Sequence, residues 1–187
     1  MSCKEPLEYL GKKRDVMDMM ATQHFILSDT YNFKNTMLDC CELIAAVIIC
    51  GMTFFNYSNV NDQYANSIWF SMGFFSIFVF AITLVKQRLD LKTKAEKHDY
   101  AGRVFSKIKI EISDKIQEWC KVEVTSEMVL EFMSGIYKQY EDLVTIPDNK
   151  FTKLKHKHYR KIELSKYIDE NKNCPWFLCK IKFMFKK

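Results

Sequence analysis

Apolar residues are laid out along this chain in two different ways. From Leu43 to Phe55 and again from Ile68 to Val85 they run almost unbroken, whereas beyond Lys86 they recur every three or four positions among charges. Unbroken runs approaching ~20 residues suit helices that cross hydrocarbon, and recurrence at ~100° per residue suits helices with one buried face. The second run qualifies easily, because Gln63 to Val85 carries no charge and is dense in Phe, Ile and Val. The first is shorter. Its core is thirteen residues with Asp39 and Glu42 just ahead, and it reaches spanning length by including Met37 to Glu42 or the Asn56 to Tyr57 end. The polar segment NYSNVNDQYAN joins the two, so residues 35–85 are predicted to form a two-span hairpin.

The periodic pattern predicts further helices outside the hairpin. Residues 86–121 contain no proline and only Gly102, so the second span is expected to continue into a charged helix without a breaker. Its stripe comprises Ala101, Val104, Phe105, Ile108, Ile112, Ile116 and Trp119. A second amphipathic helix is signalled by Thr125 and Ser126 as caps ahead of Val129, Phe132, Met133, Ile136, Tyr137, Tyr140 and Leu143, with Pro147 as its stop. The two stripes are expected to pack on one another or on copies in neighbouring subunits. A region this small hides few apolar residues alone, so Val104, Phe105, Ile108, Ile112 and Ile116 are expected to build a homo-oligomer. Residues 1–34 show a weaker pattern (Leu7, Leu10, Met17, Met20, Phe25, Ile26) and read as a lead-in helix, and the tail reads as helical to Ile168. The predicted class is an all-α membrane protein: lead-in 1–34, hairpin 35–85, cytosolic helical region 86–149, and basic aromatic tail 150–187.

Charge sets the orientation. The chain has 28 Lys and Arg, yet none lies between Asn35 and Val85, while Lys34, Lys86, Arg88 and Lys92 flank that window. Basic residues mark the cytoplasmic side of a span, so both termini are expected inside an inner (plasma) membrane. A mean hydropathy of -0.19 hides this, because charged flanks offset the hairpin. The first thirty residues hold Asp15, Asp18 and Asp29 and no apolar run, so no cleavable signal is expected and the hairpin serves as its own insertion signal. Seven cysteines, assigned to the first span and to flanks on the reducing side, are not expected to form structural disulfides.

After Val85 the chain has 23 basic against 15 acidic residues, and from Lys150 onward 12 against 3. Such a segment attracts anionic head groups or a polyanion. Tethering beside a bilayer favours the lipid, and nucleic acid is not expected as a partner. The terminus CPWFLCKIKFMFKK mixes Trp176, Phe177, Lys180 and Lys182 in the manner of an interfacial anchor; the alternative is a basic tail that covers the cytosolic helices.

Candidate chemistry is concentrated in the hairpin. Asn35, Asp39, Glu42, Ala46, Cys50, Thr53 and Asn56 share one face of the first span, away from Leu43, Val47, Ile48, Phe54 and Phe55. Ionisable groups at membrane depth face a bundle interior or water, so Asp39, Glu42, Ala46, Cys50 and Thr53 are candidates to line a pore with acidic rings at its cytoplasmic mouth. The alternative is that Asp39 and Glu42 pair with Lys86 or Arg88 at the same end of the neighbouring span, and the two arrangements are compatible if activation breaks the pairs. Gly73, Ser76 and Thr83 form a small-residue face suited to close helix packing. His156, His158, Cys174 and Cys179 match no closed zinc spacing and stand among lysines, so no metal site is expected. His24 and His98 are expected to be exposed or paired. No nucleophile arrangement, glycine-rich phosphate loop or HExxH occurs, so neither enzyme activity nor a cofactor is expected.

Two spans with a short loop, then KAEKHDYAGRVFSKIKIEI and IYKQYEDLVTIPDNKF ahead of a basic stretch, resemble the SLATT domain. That two-span effector module accompanies nucleotide-signalling antiphage systems of bacteria. The resemblance covers about residues 20–155 and rests on the arrangement together with Lys94, His98, Arg103, Phe105, Tyr137, Tyr140, Ile146 and Pro147. It implies a membrane effector that forms pores or breaches the inner membrane when released by a separate signal-sensing or nucleotide-synthesising protein. It carries over no catalytic residue. A holin-like lesion former and a non-conducting membrane scaffold are the competing expectations.

Overall fold

The computed structural model describes residues 4–57, 62–122, 124–171 and 175–185. They form α1 (Lys4–Tyr57), α2 (Asp62–Leu89), α3 (Leu91–Trp119), α4 (Ser126–Tyr140), α5 (Asp148–Glu170) and α6 (Trp176–Phe185). No strand occurs among the described residues, and the all-α class is as expected. The chain divides into two compact units, one of Met1–Ile26 with Lys97–Lys187 and the other of Leu27–Glu96. Helices α1 and α3 each contribute to both.

The first unit is built around the periodic stripes. Leu10, Met17 and Ala21 of α1 share a core with Phe105, Ile108, Ile112 and Trp119 of α3, with Val124, and with Val129, Met133 and Ile136 of α4. Ile108 and Ile112 are fully buried, and Val104 and Ile116 pack against the same core. The stripe expected to assemble subunits is therefore occupied within one chain. The lead-in helix supplies the third apolar face that reading the α3 and α4 stripes alone had left out. Helix α4 starts as its cap residues predict: the Thr125 hydroxyl accepts from the Met128 N–H at 3.4 Å, an N-cap of the kind worth ~1 kcal/mol. Lys109 reaches Asp18 at 2.8 Å, tying α3 to α1, and the Trp119 and Phe132 rings meet edge to face. At Gly102 the backbone comes so close to the Phe25 ring that a Cβ would lie 2.9 Å from it. The glycine inside the α3 pattern is thus a close-approach position.

In the second unit the pattern is inverted. Among the described residues of 35–85, Ala45 is the single buried one. Val47, Phe70 and Ile77 are 70%, 79% and 71% exposed, and Leu43, Phe54, Phe74 and Phe80 are also turned outward. The expected loop is shorter than NYSNVNDQYAN, since α1 runs to Tyr57 and α2 begins at Asp62; residues 58–61 lie outside the described set. Two boundaries differ from expectation. The lead-in and the first span are one continuous 54-residue helix. Helix α2, expected to run on without a breaker, is separated from α3 by Asp90, whose φ of 46° lies in the left-handed region. Its N–H still donates to the Lys86 carbonyl at 3.1 Å, and its own carbonyl accepts from the Lys94 N–H at 3.2 Å, so the helix restarts at once. Aspartate is among the few residues that tolerate this conformation, which is why a break arises with no glycine or proline to announce it.

The core assignment predicts that Ile108→Ala or Ile112→Ala destabilises the first unit by about 2–5 kcal/mol, whereas Ile110→Ala, at an exposed position of the same helix, stays within ~0.5 kcal/mol. Chemical denaturation of detergent-purified protein, followed by tryptophan fluorescence, measures both.

Candidate functional site

The polar residues of the hairpin converge at one end of it. Asn35, Asp39 and Glu42 recur at four- and three-residue spacing on α1, and Thr83 and Lys86 are three apart on α2, so each set occupies one helix face. Antiparallel pairing brings the sets together. The Lys86 ammonium forms ion pairs with Asp39 and, at 3.1 Å, with Glu42. Thr83 shares its hydroxyl hydrogen between Glu42 Oε1 at 2.9 Å and the Val79 carbonyl at 3.0 Å, and Asn35 Nδ2 donates to Asp39 Oδ2 at 2.9 Å. A cleft of about 790 Å³ beside these groups is lined also by Gln87, Asp90 and Lys92.

Two carboxylates face one ammonium, so the Asp39, Glu42 and Lys86 triad carries a net negative charge. The acceptors not used by Lys86 are partly satisfied by Thr83 and Asn35, which is what a half-buried ion pair needs to persist. Removing the cation would leave two carboxylates uncompensated. Of the two arrangements considered for Asp39 and Glu42, the paired one is present, with Lys86 as the partner.

The other hairpin candidates are placed differently. Ala46, Cys50 and Thr53 are exposed and stand outside the ion-paired cluster, and the Thr53 hydroxyl turns back to the Ile49 carbonyl at 2.8 Å. Gly73 and Ser76 do not form the packing face. Both are exposed, a Cβ at Gly73 would meet nothing within 4 Å, and the half-buried positions among the described residues of α2 are Ser71, Met72, Phe75, Val79, Ile82 and Lys86. Ser71, Phe75, Val79, Ile82 and Lys86 recur at three- and four-residue spacing, so the less exposed side of α2 is one helix face, which the run of apolar residues conceals. Thr83 does contribute, through its bond to Glu42.

The first unit contains a second polar feature. His24 and His98 are both buried, with their Nδ1 atoms 2.9 Å apart, so one ring donates and the other accepts. His24 also stacks on Phe105, with centroids 5.3 Å apart. Beside it lies a cavity of about 490 Å³, lined mainly by apolar side chains together with Phe105, Tyr140 and Ile146. His98, Phe105, Tyr140 and Ile146 thus gather around His24. The Gln23 amide and His24 Nε2 are buried with no hydrogen-bond partner among the described residues. His24 and His98 were expected to be exposed or paired, and they are paired and buried; Gln23 was not singled out, although a Gln–His pair inside the Met20 to Ile26 apolar pattern was a visible anomaly. Burial, and then the neighbouring His98, lower the His24 pKa from 6.5 to about 4. Burial, and then the Lys150 charge, lower that of His98. In the tail, Trp176, Phe177, Lys180 and Lys182 are all exposed on α6. No group of residues suited to hold a metal ion occurs among the described residues.

No protein-family model, curated protein or solved structure matches the chain.

The histidine pair predicts a pH dependence. Both rings have lowered pKa values in the folded unit, His24 down to about 4, whereas the unfolded chain takes up protons near 6.5, so below that value the unfolded state binds more protons. Their stabilising contribution is complete above 6.5 and is lost progressively as pH falls below it, that of His24 down to about 4. The melting temperature of the first unit should therefore decline from pH 7.5 to 5, and His24→Leu should flatten the decline. A wild-type melting temperature constant over that range would contradict the buried neutral pair.

Proposed function

We propose that this chain is an oligomeric effector of the inner membrane, a two-span hairpin with both termini cytoplasmic, which breaches the bilayer when the ion pairs of Lys86 are broken. The observation that carries the membrane reading is the inverted exposure of the hairpin. The stretches Glu5–Phe54 and Trp69–Trp119 each contain a window long and apolar enough to cross a bilayer, with mean hydropathy 1.9 and 1.7, and only 6% and 0% of those windows is buried within the protein. A core helix of a water-soluble protein would bury such a window, so exposure of this much apolar surface supports an apolar surrounding. The base-free interval from Asn35 to Val85 supports the orientation.

In this reading the Asp39, Glu42 and Lys86 triad is a latch at the cytoplasmic end of the hairpin. Paired, it neutralises one of the two carboxylate charges that this end of the hairpin carries. Opened, it exposes two carboxylates on the face that continues through Ala46, Cys50 and Thr53, and a ring of such faces from several copies would favour cations. Assembly would use the hairpin's exposed small residues rather than the α3 stripe, which is consumed inside the first unit. The role in antiphage defence, and release by a partner or nucleotide signal, rest on the resemblance of residues 20–155 to the SLATT module.

Ion flux from proteoliposomes tests this. Wild-type vesicles should be tight, Lys86→Gln should make them leak cations, and adding Asp39→Asn with Glu42→Gln should abolish the cation preference in the reversal potential. Lys86→Gln protein that inserts normally and stays as tight as wild type would sink the latch.

A further inference from the structure

Helix α6 attaches to the first unit by one narrow edge. The Cys179 thiol is fully buried and donates to the Asn171 carbonyl at 3.9 Å, and the Phe183 ring lies against Tyr167 of α5 with centroids 5.8 Å apart. At ~100° per residue these two positions lie within about 40° of each other. Diametrically opposite, Phe177, Leu178, Ile181, Met184 and Phe185 fill an arc of about 120°. All five are exposed, Phe185 to 85%. Lys180 and Lys182 are exposed too and stand one on each side of that arc, about 100° from its centre. An apolar face this continuous on a ten-residue helix is not explained by packing within the chain.

We infer that α6 is an interfacial membrane anchor, which lays this arc into an anionic phospholipid surface with Lys180 and Lys182 at the phosphates. Three features fix lipid as the occupant. The lysines flank the apolar arc rather than interrupting it, which is the arrangement that lets ammonium groups snorkel to head groups while aromatic and aliphatic side chains enter the acyl boundary. Exposed Lys153, Lys155, Lys157, Arg160 and Lys161 on α5 add basic charge to the same segment, and each such residue near an anionic surface contributes to attraction. The occupant is also at hand, because α1 and α2 carry windows able to cross a bilayer. A nucleic acid would be drawn by the lysines, but it offers no apolar phase for Leu178, Ile181 and Met184. The inference rests on the membrane reading of the hairpin and extends it: the tail would make a second attachment whose strength depends on lipid charge, whereas the spans insert whatever the head group.

The test uses full-length protein in nanodiscs of either phosphatidylcholine alone or phosphatidylcholine with phosphatidylglycerol, with brominated lipid as quencher. A solvatochromic amino acid is placed at position 181 in one sample and at position 77 in another. Position 77 should be quenched in both lipids; if it is not, the spanning reading fails independently. Position 181 should show blue-shifted emission and quenching in the anionic discs, with both reduced in neutral discs, in high salt and in the Lys180→Glu, Lys182→Glu variant. Equal quenching in neutral and anionic discs, or none in either, overturns the anchor. So does a blue shift unaffected by brominated lipid that grows with protein concentration, which would mark a second copy as the occupant. A blue shift in neutral discs that appears only on adding a single-stranded oligonucleotide would assign the face to nucleic acid and equally overturn it.

Discussion

Two carboxylates on one face of a helix need a cation between them, and in this chain that demand is met by Lys86. Its ammonium sits between Asp39 and Glu42, and those contacts, with Thr83 bonded to Glu42 and Asn35 to Asp39, fix which residues of α1 face which residues of α2. The register of the hairpin follows from them. Four residues farther on, Asp90 takes a left-handed conformation while keeping its hydrogen bond to the Lys86 carbonyl, so the ion-paired end of the hairpin is also where the helix is interrupted. Shared interactions of this kind are poorly described as a sum of single contacts, and loss of the lysine should be felt by all of its partners.

The two units solve the problem of apolar surface in opposite ways. Residues 1–26 and 97–187 bury Leu10, Ile108, Ile112, Met133 and Ile136 away from water, as water-soluble bundles do. Residues 27–96 turn Leu43, Val47, Phe70 and Ile77 outward and pair their carboxylates inward. The same residue types therefore have opposite roles on either side of the boundary. Substitutions of Ile108 and Ile112 in α3 act on packing, whereas Ile77 in α2 is exposed and makes no comparable core contact.

Much of this was legible in the sequence, because periodicity and charge report directly on burial. The α3 and α4 stripes, the Thr125 cap and the helical tail through Ile168 follow from local rules that tertiary structure did not override. The pairing of Asp39 and Glu42 with Lys86 or Arg88 was one of two arrangements that the sequence left open, and the structure has Lys86 as the partner. What was hidden depends on information spread over the chain. The α3 stripe read as a surface for other subunits because its partner, the α1 segment from Leu10 to Ala21, is more than eighty residues away and only weakly periodic. Gly73 and Ser76 read as a packing face because a uniformly apolar helix has no contrast to show which side meets its neighbour. Asp90 broke the helix through a backbone conformation that its residue type permits but does not require. The buried His24 and His98 pair could not be read from two separate histidines 74 positions apart.

The central claim is that residues 35–85 form a membrane hairpin with both flanks inside, and side-specific labelling tests it most directly. In intact cells, a cysteine placed at Asn61, between α1 and α2, should react with a membrane-impermeant thiol reagent, and one placed at Lys150 should react only after the cells are permeabilised. Labelling of Lys150 in intact cells, or failure of Asn61 to label in protein shown to be in the membrane fraction, would contradict the hairpin.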